Sequence, residues 1–174
     1  MNAKQIPTTP PGAPHPPWWR GPRGEWYVAA QFVLFALVAF GPRTLPGWHA
    51  WGPPISSFTS ALGGVLFAVG AGLLIASAAR IGAKLSPFPH PRDGAPLHVS
   101  GPFRLVRHPM YGGGILMALG WGLWVRGWLT LAYAAALAVF FDIKARREER
   151  GMRVTYPGYA AYERRTRKLI PFVY

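Results

Sequence analysis

Two short clusters of polar residues stand at the edges of long apolar segments in this sequence. The first is Arg107-His108-Pro109-Met110-Tyr111, followed by glycines at positions 112–114. The second is the pair Glu148-Glu149, which follows an apolar run and has arginines on both sides. Arginine and histidine can donate charge-assisted hydrogen bonds to a carboxylate or phosphate, whereas glutamates accept from ammonium or hydroxyl groups. A zwitterionic ligand carrying an aromatic ring would satisfy both clusters.

Neighbouring residues extend this interpretation, and each has a simpler alternative. Tyr111 follows His108 by about one helical turn, so both side chains can face one pocket. The three glycines would let a ligand approach the start of a helix, where free N–H groups favour anions. Alternatively, they only allow close helix packing. Tyr159, Tyr162 and Arg165 would add stacking and a cation.

The charged residues also have simpler explanations than a ligand site. Arginines at a membrane boundary commonly anchor lipid headgroups. Glu148-Glu149, lying among Arg146, Arg147 and Arg150, could form an ordinary salt-bridged helix face. The histidines outside the first cluster lack metal-ligand spacing, so the sequence predicts no metal site. The combined pattern is what favours a binding site.

Composition indicates a membrane protein. Hydrophobic residues make up 51% of the chain and charged residues only 14%, against about a quarter in soluble domains. The net charge of +13 fits an anionic membrane surface. A nucleic-acid partner is not expected, because such a protein would not carry several long apolar runs. The absence of cysteine excludes disulfides, thiolate metal sites and a cysteine nucleophile.

The segments predict a Pro-rich flexible tail at 1–24 and a single domain at 25–174. Apolar periodicity and breaker residues place helices at about 26–40, 56–79, 111–125, 128–150 and 157–167. The apolar block Met110–Phe141 is interpreted as a helical hairpin broken at Arg126-Gly127. The alternative is one long tilted helix, which would put Arg126 in mid-membrane. Gly151 is expected to end or bend the fourth helix, and Pro157 to start the fifth.

Charge asymmetry predicts the orientation of the chain. Most Lys and Arg residues lie in the loop Arg80–Arg107 and in the tail from Lys144 onward. The positive-inside tendency therefore puts both termini and both polar clusters on the cytoplasmic side of the cell membrane. The predicted fold class is an all-α, multi-pass integral membrane protein. It has about four transmembrane helices, the third and fourth forming a hairpin, and cytoplasmic C-terminal amphipathic helices.

Several motifs occur in the order typical of one enzyme family. They are Leu85-Ser86-Pro87-Phe88-Pro89, Gly101 to Tyr111, Lys144 to Glu149, and Tyr162-Glu163-Arg164-Arg165 continuing to Ile170-Pro171. Over about Arg80 to Pro171 the chain resembles the integral-membrane isoprenylcysteine carboxyl methyltransferases and phospholipid methyltransferases. The Arg-His-Pro-x-Tyr element followed by Glu-Glu is the most specific part of the match.

The resemblance implies a membrane enzyme that binds S-adenosylmethionine at its cytoplasmic face, releases S-adenosylhomocysteine, and takes a lipophilic substrate from the bilayer. It implies catalytic roles for Glu148, Glu149 and Arg165, with Arg165 near the acceptor group. Glu148 would also contact the cofactor. The remaining residues that match the family's cofactor-binding motif are Leu105, Val106, Arg107, His108 and Tyr111.

Two positions depart from the family pattern, and the reaction type stays open. Lys84 stands where relatives often have Asn, which leaves the acceptor unidentified, and Met152 replaces a common Leu. The residues do not distinguish O-, N- and S-methylation. The alternative function is a non-catalytic membrane protein that binds anionic lipid or a partner through its basic face.

Overall fold

The described part of the chain consists of helices joined by turns and short extended segments. A computed structural model describes residues 24–82, 97–171 and 173–174. Its helices are α1 (Glu25–Phe40), α2 (Ile55–Ile81), α3 (Pro109–Trp124), α4 (Trp128–Thr155) and α5 (Tyr159–Arg165), with a 3-10 turn at Gly101–Arg104. The described ranges contain no β-strand, which confirms the predicted all-α class. Lys84 and the predicted flexible tail, apart from Gly24, lie outside these ranges.

The helix ends differ from the predicted bounds, most clearly toward the C-terminus. α3 begins at Pro109, because the fixed φ and missing N–H of proline suit a first helical turn. α4 continues through Gly151 to Thr155, since one interior glycine costs only about 1 kcal/mol. The charged segment after Asp142 is therefore the last part of α4. α5 starts after the turn at Pro157 and is shorter than predicted.

A tight turn separates α3 from α4. Arg126 has a φ of 54°, in the left-handed region, and the N–H of Gly127 donates to the carbonyl of Gly122 at 3.0 Å. The chain thus reverses between Trp124 and Trp128. This arrangement agrees with the predicted hairpin and not with one long tilted helix.

Two described helices are long and apolar enough to cross a membrane. These are α2, with a mean hydropathy of 2.1, and α4, with 1.5, whereas α1 is apolar but shorter. Large apolar side chains face outward, including Phe58 of α2, which is 69% exposed. Such a surface suits lipid better than water. The count of four crossings stays a prediction.

The backbones of α2 and α3 touch at paired glycines. A Cβ added at Gly63 would lie 2.5 Å from the carbonyl oxygen of Gly120, and one at Gly70 would lie 2.6 Å from that of Gly113. Small residues at these positions allow the close approach that stabilises membrane helix pairs. The contact holds the beginning of α3 firmly against α2.

A small hydrophobic core joins α3 to α4 and extends to α1. The ring of Phe35 in α1 meets the ring of Phe141 edge-on at 6.0 Å. Phe141 therefore lies where three helices approach each other, close to the polar residues described next. The buried members of this core are Ala118, Ala134, Leu137 and Phe141.

Candidate active site

Backbone pairing with the chain that follows α5 positions the beginning of α3. The N–H of Arg107 donates to the carbonyl of Arg167 at 2.8 Å, and the N–H of His108 donates to that of Lys168 at 3.0 Å. Val106, only 1% exposed, anchors the segment and forms an isolated parallel bridge with Arg167. The extended conformation after Arg165 explains why α5 ends there. Arg107 and His108 thereby reach α4.

Arg107 ties three parts of the chain together. Its Nε donates to Oε1 of Glu149 at 2.7 Å, while its Nη1 donates to the carbonyls of Thr166 at 2.5 Å and Glu163 at 3.2 Å. The two side chains are 9% and 4% exposed, so the ion pair is largely shielded from water. Such a pair is well compensated only because the guanidinium also satisfies two backbone oxygens.

His108 lies between the two glutamates. Its Nε2 is 3.3 Å from Oε1 of Glu149, and its Nδ1 is 3.5 Å from Oε2 of Glu148. Burial lowers the pKa of His108, but the hydrogen bonds and charges of both carboxylates outweigh burial and leave the pKa above its ordinary value. The imidazole therefore holds its proton to higher pH than a free histidine.

Tyr111 connects Glu148 to a stack of aromatic rings. Its hydroxyl donates a hydrogen bond to Oε1 of Glu148. Its ring is stacked with the ring of His108, with centroids 5.4 Å apart, and with the ring of Phe141, with centroids 4.5 Å apart. We call Arg107, His108, Tyr111, Glu148 and Glu149 the glutamate cluster. It places two carboxylates beside an aromatic stack at the end of the helices.

Lys144 and Gln31 also belong to this region, and neither was predicted as a site residue. Nζ of Lys144 donates to Oε1 of Gln31 at 2.6 Å and lies 5.3 Å from the centre of the Tyr111 ring. Two signals in the sequence could have found them. Lys144 precedes Glu148 by four residues on one helix, and Gln31 is the one amide side chain in α1.

The structure thus brings together five of the predicted site residues and leaves three outside. Leu105 is 51% exposed, and the side chain of Val106 points into the protein. Arg165 is exposed at the end of α5 and makes no hydrogen bond or ion pair with other described residues. Because Arg107 and His108 bond to the glutamates directly, the two polar clusters form one network and need no zwitterionic ligand to join them.

The glycines at 112–114 serve packing. A Cβ at Gly112 would lie 3.1 Å from the carbonyl oxygen of Leu169, and one at Gly113 would lie 2.7 Å from that of Gly70. A Cβ at Gly114 would meet the Phe141 ring at 3.3 Å. The simpler interpretation of the glycine run, close helix packing, therefore fits the structure better than a backbone surface for a ligand.

An open cleft with a volume of about 240 Å³ lies next to Arg107. Three cationic side chains and one carboxylate line the cleft. Arg107 is paired with Glu149, Lys168 with Asp142, and the carboxylate of Glu163 with Arg153, so most of these charges are compensated. The lining residues of the cleft are Arg107, Glu163, Thr166, Arg167, Lys168, Val173 and Tyr174.

Two tyrosines beside the cluster offer a matched test of the packing of α5. Tyr162 donates to the carbonyl of Phe103 at 2.7 Å, and burial raises the pKa of Tyr162 to about 12, which keeps this donor protonated. Tyr159 is 1% exposed, and its hydroxyl has no hydrogen-bond partner within the described ranges. We expect Tyr162→Phe to lower the free energy of unfolding by about 1 kcal/mol. Tyr159→Phe should leave it unchanged or raise it.

Denaturant titration in detergent, followed by tryptophan fluorescence, measures both variants. Equal losses in the two variants would show that the Tyr159 hydroxyl does have a partner. They would contradict the packing described for α5.

Comparisons with known proteins agree with this architecture. The sequence model of the phospholipid methyltransferase family matches residues 58–158. The cobalt-zinc-cadmium resistance protein CzcN of Cupriavidus metallidurans is 32% identical over 149 residues, which cover 85% of this chain and 62% of that protein.

A solved structure has a similar fold. It is the eukaryotic intramembrane Ras methyltransferase, isoprenylcysteine carboxyl methyltransferase, without a monobody. The TM-score is 0.60 at 19% identity, and the match covers 87% of this chain and 53% of that chain. The chain thus spans between half and two thirds of the length of these two proteins. At this identity the match establishes the fold and no more.

Proposed function

The chain belongs to the phospholipid methyltransferase family, and from this premise we propose that it transfers a methyl group from S-adenosylmethionine to a lipophilic acceptor. The acceptor is a lipid or a lipid-like small molecule that enters from the bilayer. The active site and both termini face the cytoplasm, and four helices cross the cell membrane. The concentration of Lys and Arg in the segments 80–107 and 144–174 supports this orientation.

The observation that carries the proposal is the glutamate cluster. Glu149 is buried and Glu148 is partly buried, and both carboxylates lie beside three parallel rings, those of His108, Tyr111 and Phe141. Carboxylates and ring faces both attract cations. The methyl donor carries a sulfonium and an ammonium group, so the chemistry of these side chains fits it. The side chain of Glu148 is 13% exposed, more than that of Glu149. Glu148 is therefore the more accessible of the two carboxylates for a hydrogen bond from the ligand.

Some residues of the glutamate cluster hold the two carboxylates in place, and the carboxylates themselves contact the ligand. Arg107 and His108 fix Glu149, and Tyr111 fixes Glu148, so that neither carboxylate must reorganise during the reaction. Bound S-adenosylmethionine supplies an activated methyl group, and positioning of the acceptor supplies most of the remaining rate enhancement. Val106 and Leu105 position the motif backbone at the edge of the site.

The acceptor side of the reaction involves Arg165. Its guanidinium is exposed and not committed to another described residue, so it can orient a carboxylate acceptor, which is already nucleophilic. With an amine acceptor, Glu148 or Glu149 would take the proton that the nitrogen loses. A dry pocket at the helix ends would favour either reaction over hydrolysis.

Calorimetry with S-adenosylhomocysteine and the detergent-purified protein tests the proposal. We expect saturable binding by the wild type and at least about tenfold weaker binding by Glu148→Gln, because the variant loses the carboxylate that attracts the ligand ammonium. The matched control is Arg164→Gln, which removes an exposed charge on α5 and should bind normally. A second assay follows labelled methyl groups from S-adenosylmethionine into products that partition into organic solvent.

Two outcomes would contradict the proposed function. The absence of saturable binding by the wild type would exclude it. Equal weakening by Glu148→Gln and Arg164→Gln would favour the alternative, a basic surface that binds anionic lipid without catalysis.

A further inference from the structure

A lysine lies fully buried next to the glutamate cluster. Lys144 is 1% exposed on α4, one turn before Glu148 and within a helix that is apolar enough to cross a membrane. Placing an ammonium group in such surroundings is costly, and ionisable residues inside membrane helices usually have a function. The predicted site does not account for this charge.

The contacts of Lys144 join α1 to the cluster. Its Nζ donates to the amide oxygen of Gln31 at 2.6 Å and lies over the ring of Tyr111, 5.3 Å from its centre. Tyr111 in turn donates to Glu148. An amide oxygen and a ring face are both partners that a cation prefers. The geometry is therefore that of an ammonium group held close to the carboxylate proposed to attract the methyl donor.

We infer that Lys144 sets the charge balance of the site. Because of this lysine, the positively charged donor binds less tightly, relative to its neutral-sulfur product, than it would if the lysine were absent. This inference rests on the proposed function. During methyl transfer the acceptor's lone pair forms the new bond to the methyl carbon. The electron pair of the broken carbon–sulfur bond stays on sulfur, which becomes neutral.

A cation at this position favours the reaction because it repels the positive charge on the sulfonium, and methyl transfer removes that charge from sulfur. Repulsion from Lys144 raises the energy of the bound sulfonium more than that of the transition state, in which the positive charge on sulfur is smaller. Lys144 also attracts Glu148 and so limits how strongly this carboxylate stabilises the sulfonium. Both effects weaken the binding of the sulfonium relative to the transition state. Lys144 therefore acts through the charges around the reacting sulfur and is a positioning residue.

The test compares two ligands that differ at the sulfur by one methyl group and one charge. Dissociation constants for S-adenosylmethionine and S-adenosylhomocysteine are measured by calorimetry for the wild type, Lys144→Met and Lys144→Gln. The expected result is that the ratio of the first constant to the second falls about tenfold in both variants, as for the loss of one nearby like charge. The glutamine variant keeps a polar group opposite Gln31 in case the methionine variant does not fold.

Lys168→Met is the matched control. Lys168 is also a lysine over a tyrosine ring, 4.6 Å from the centre of Tyr174, but its ion pair is with Asp142 outside the cluster. This variant should keep the wild-type ratio. If the Lys144 variants change both constants by the same factor, Lys144 has only a structural role and the inference is overturned. If the wild type binds neither ligand, the proposed function fails and this inference fails with it.

Discussion

Replacement of Glu149 by glutamine is expected to lower the free energy of unfolding by about 3 kcal/mol. Glu149 accepts hydrogen bonds from Arg107 and His108, and its side chain is almost fully buried. Glutamine has nearly the same shape, but it leaves the Arg107 guanidinium in a shielded position without a counter-charge. Removal of one partner from a buried ion pair is costly because the remaining charge cannot regain its hydration.

Glu163→Gln is the matched control for this prediction. Glu163 also accepts from an arginine, Arg153, at 2.9 Å and 2.5 Å, but these side chains are 26% and 48% exposed. Exposed pairs contribute at most about 1 kcal/mol. The same substitution at two glutamate–arginine pairs therefore isolates the effect of burial.

Unfolding of the detergent-solubilised variants, followed by tryptophan fluorescence, gives both values. A double variant, Arg107→Leu with Glu149→Gln, completes the cycle, and we expect it to lose less stability than the sum of the single changes. Losses of similar size at Glu149 and Glu163 would show that the Arg107–Glu149 pair is hydrated, and the description of a closed glutamate cluster would be wrong.

The sequence was sufficient to predict the members of the glutamate cluster but not how they are connected. Residue types and motif order identified Arg107, His108, Tyr111, Glu148 and Glu149. The expectation was that one zwitterionic ligand would satisfy both the cations and the carboxylates. Since unpaired buried charges are costly, the folded chain pairs them with each other across a separation of about forty residues. Sequence patterns do not report such pairings.

Lys144 and Gln31 were not predicted as site residues from the sequence for a related reason. The partner of Lys144 is Gln31, 113 positions away on α1, and only the packing of α1 against α4 brings the two together. Helix existence was easier to predict, because long apolar runs determine it. Helix ends were harder, since a small local cost such as that of Gly151 is outweighed by the rest of a 28-residue helix.

The glycine contact between α2 and α3 leads to the second large expected effect. Gly70→Ala would place a methyl group 2.6 Å from the carbonyl oxygen of Gly113 and 2.8 Å from the backbone nitrogen of Met117. Because both contacts are backbone atoms of a neighbouring helix, α2 must move away from α3. Overpacking of this kind costs about 1–3 kcal/mol, and the loss of close helix contact adds to it. The displacement would also reach the start of α3, where His108 and Tyr111 lie.

The same substitution one half-turn away supplies the control. A methyl group at Gly72 would meet no atom within 4 Å, so Gly72→Ala should stabilise α2 by up to about 1 kcal/mol through its higher helix propensity. Opposite signs for the two variants, measured as changes in thermal unfolding in detergent, are the expected result. A Gly70→Ala protein as stable as Gly72→Ala would mean that α2 and α3 do not touch at the backbone. Gly113 would then regain the ligand-binding interpretation, because the α2 backbone at Gly70 that now explains this glycine would not be in contact with it.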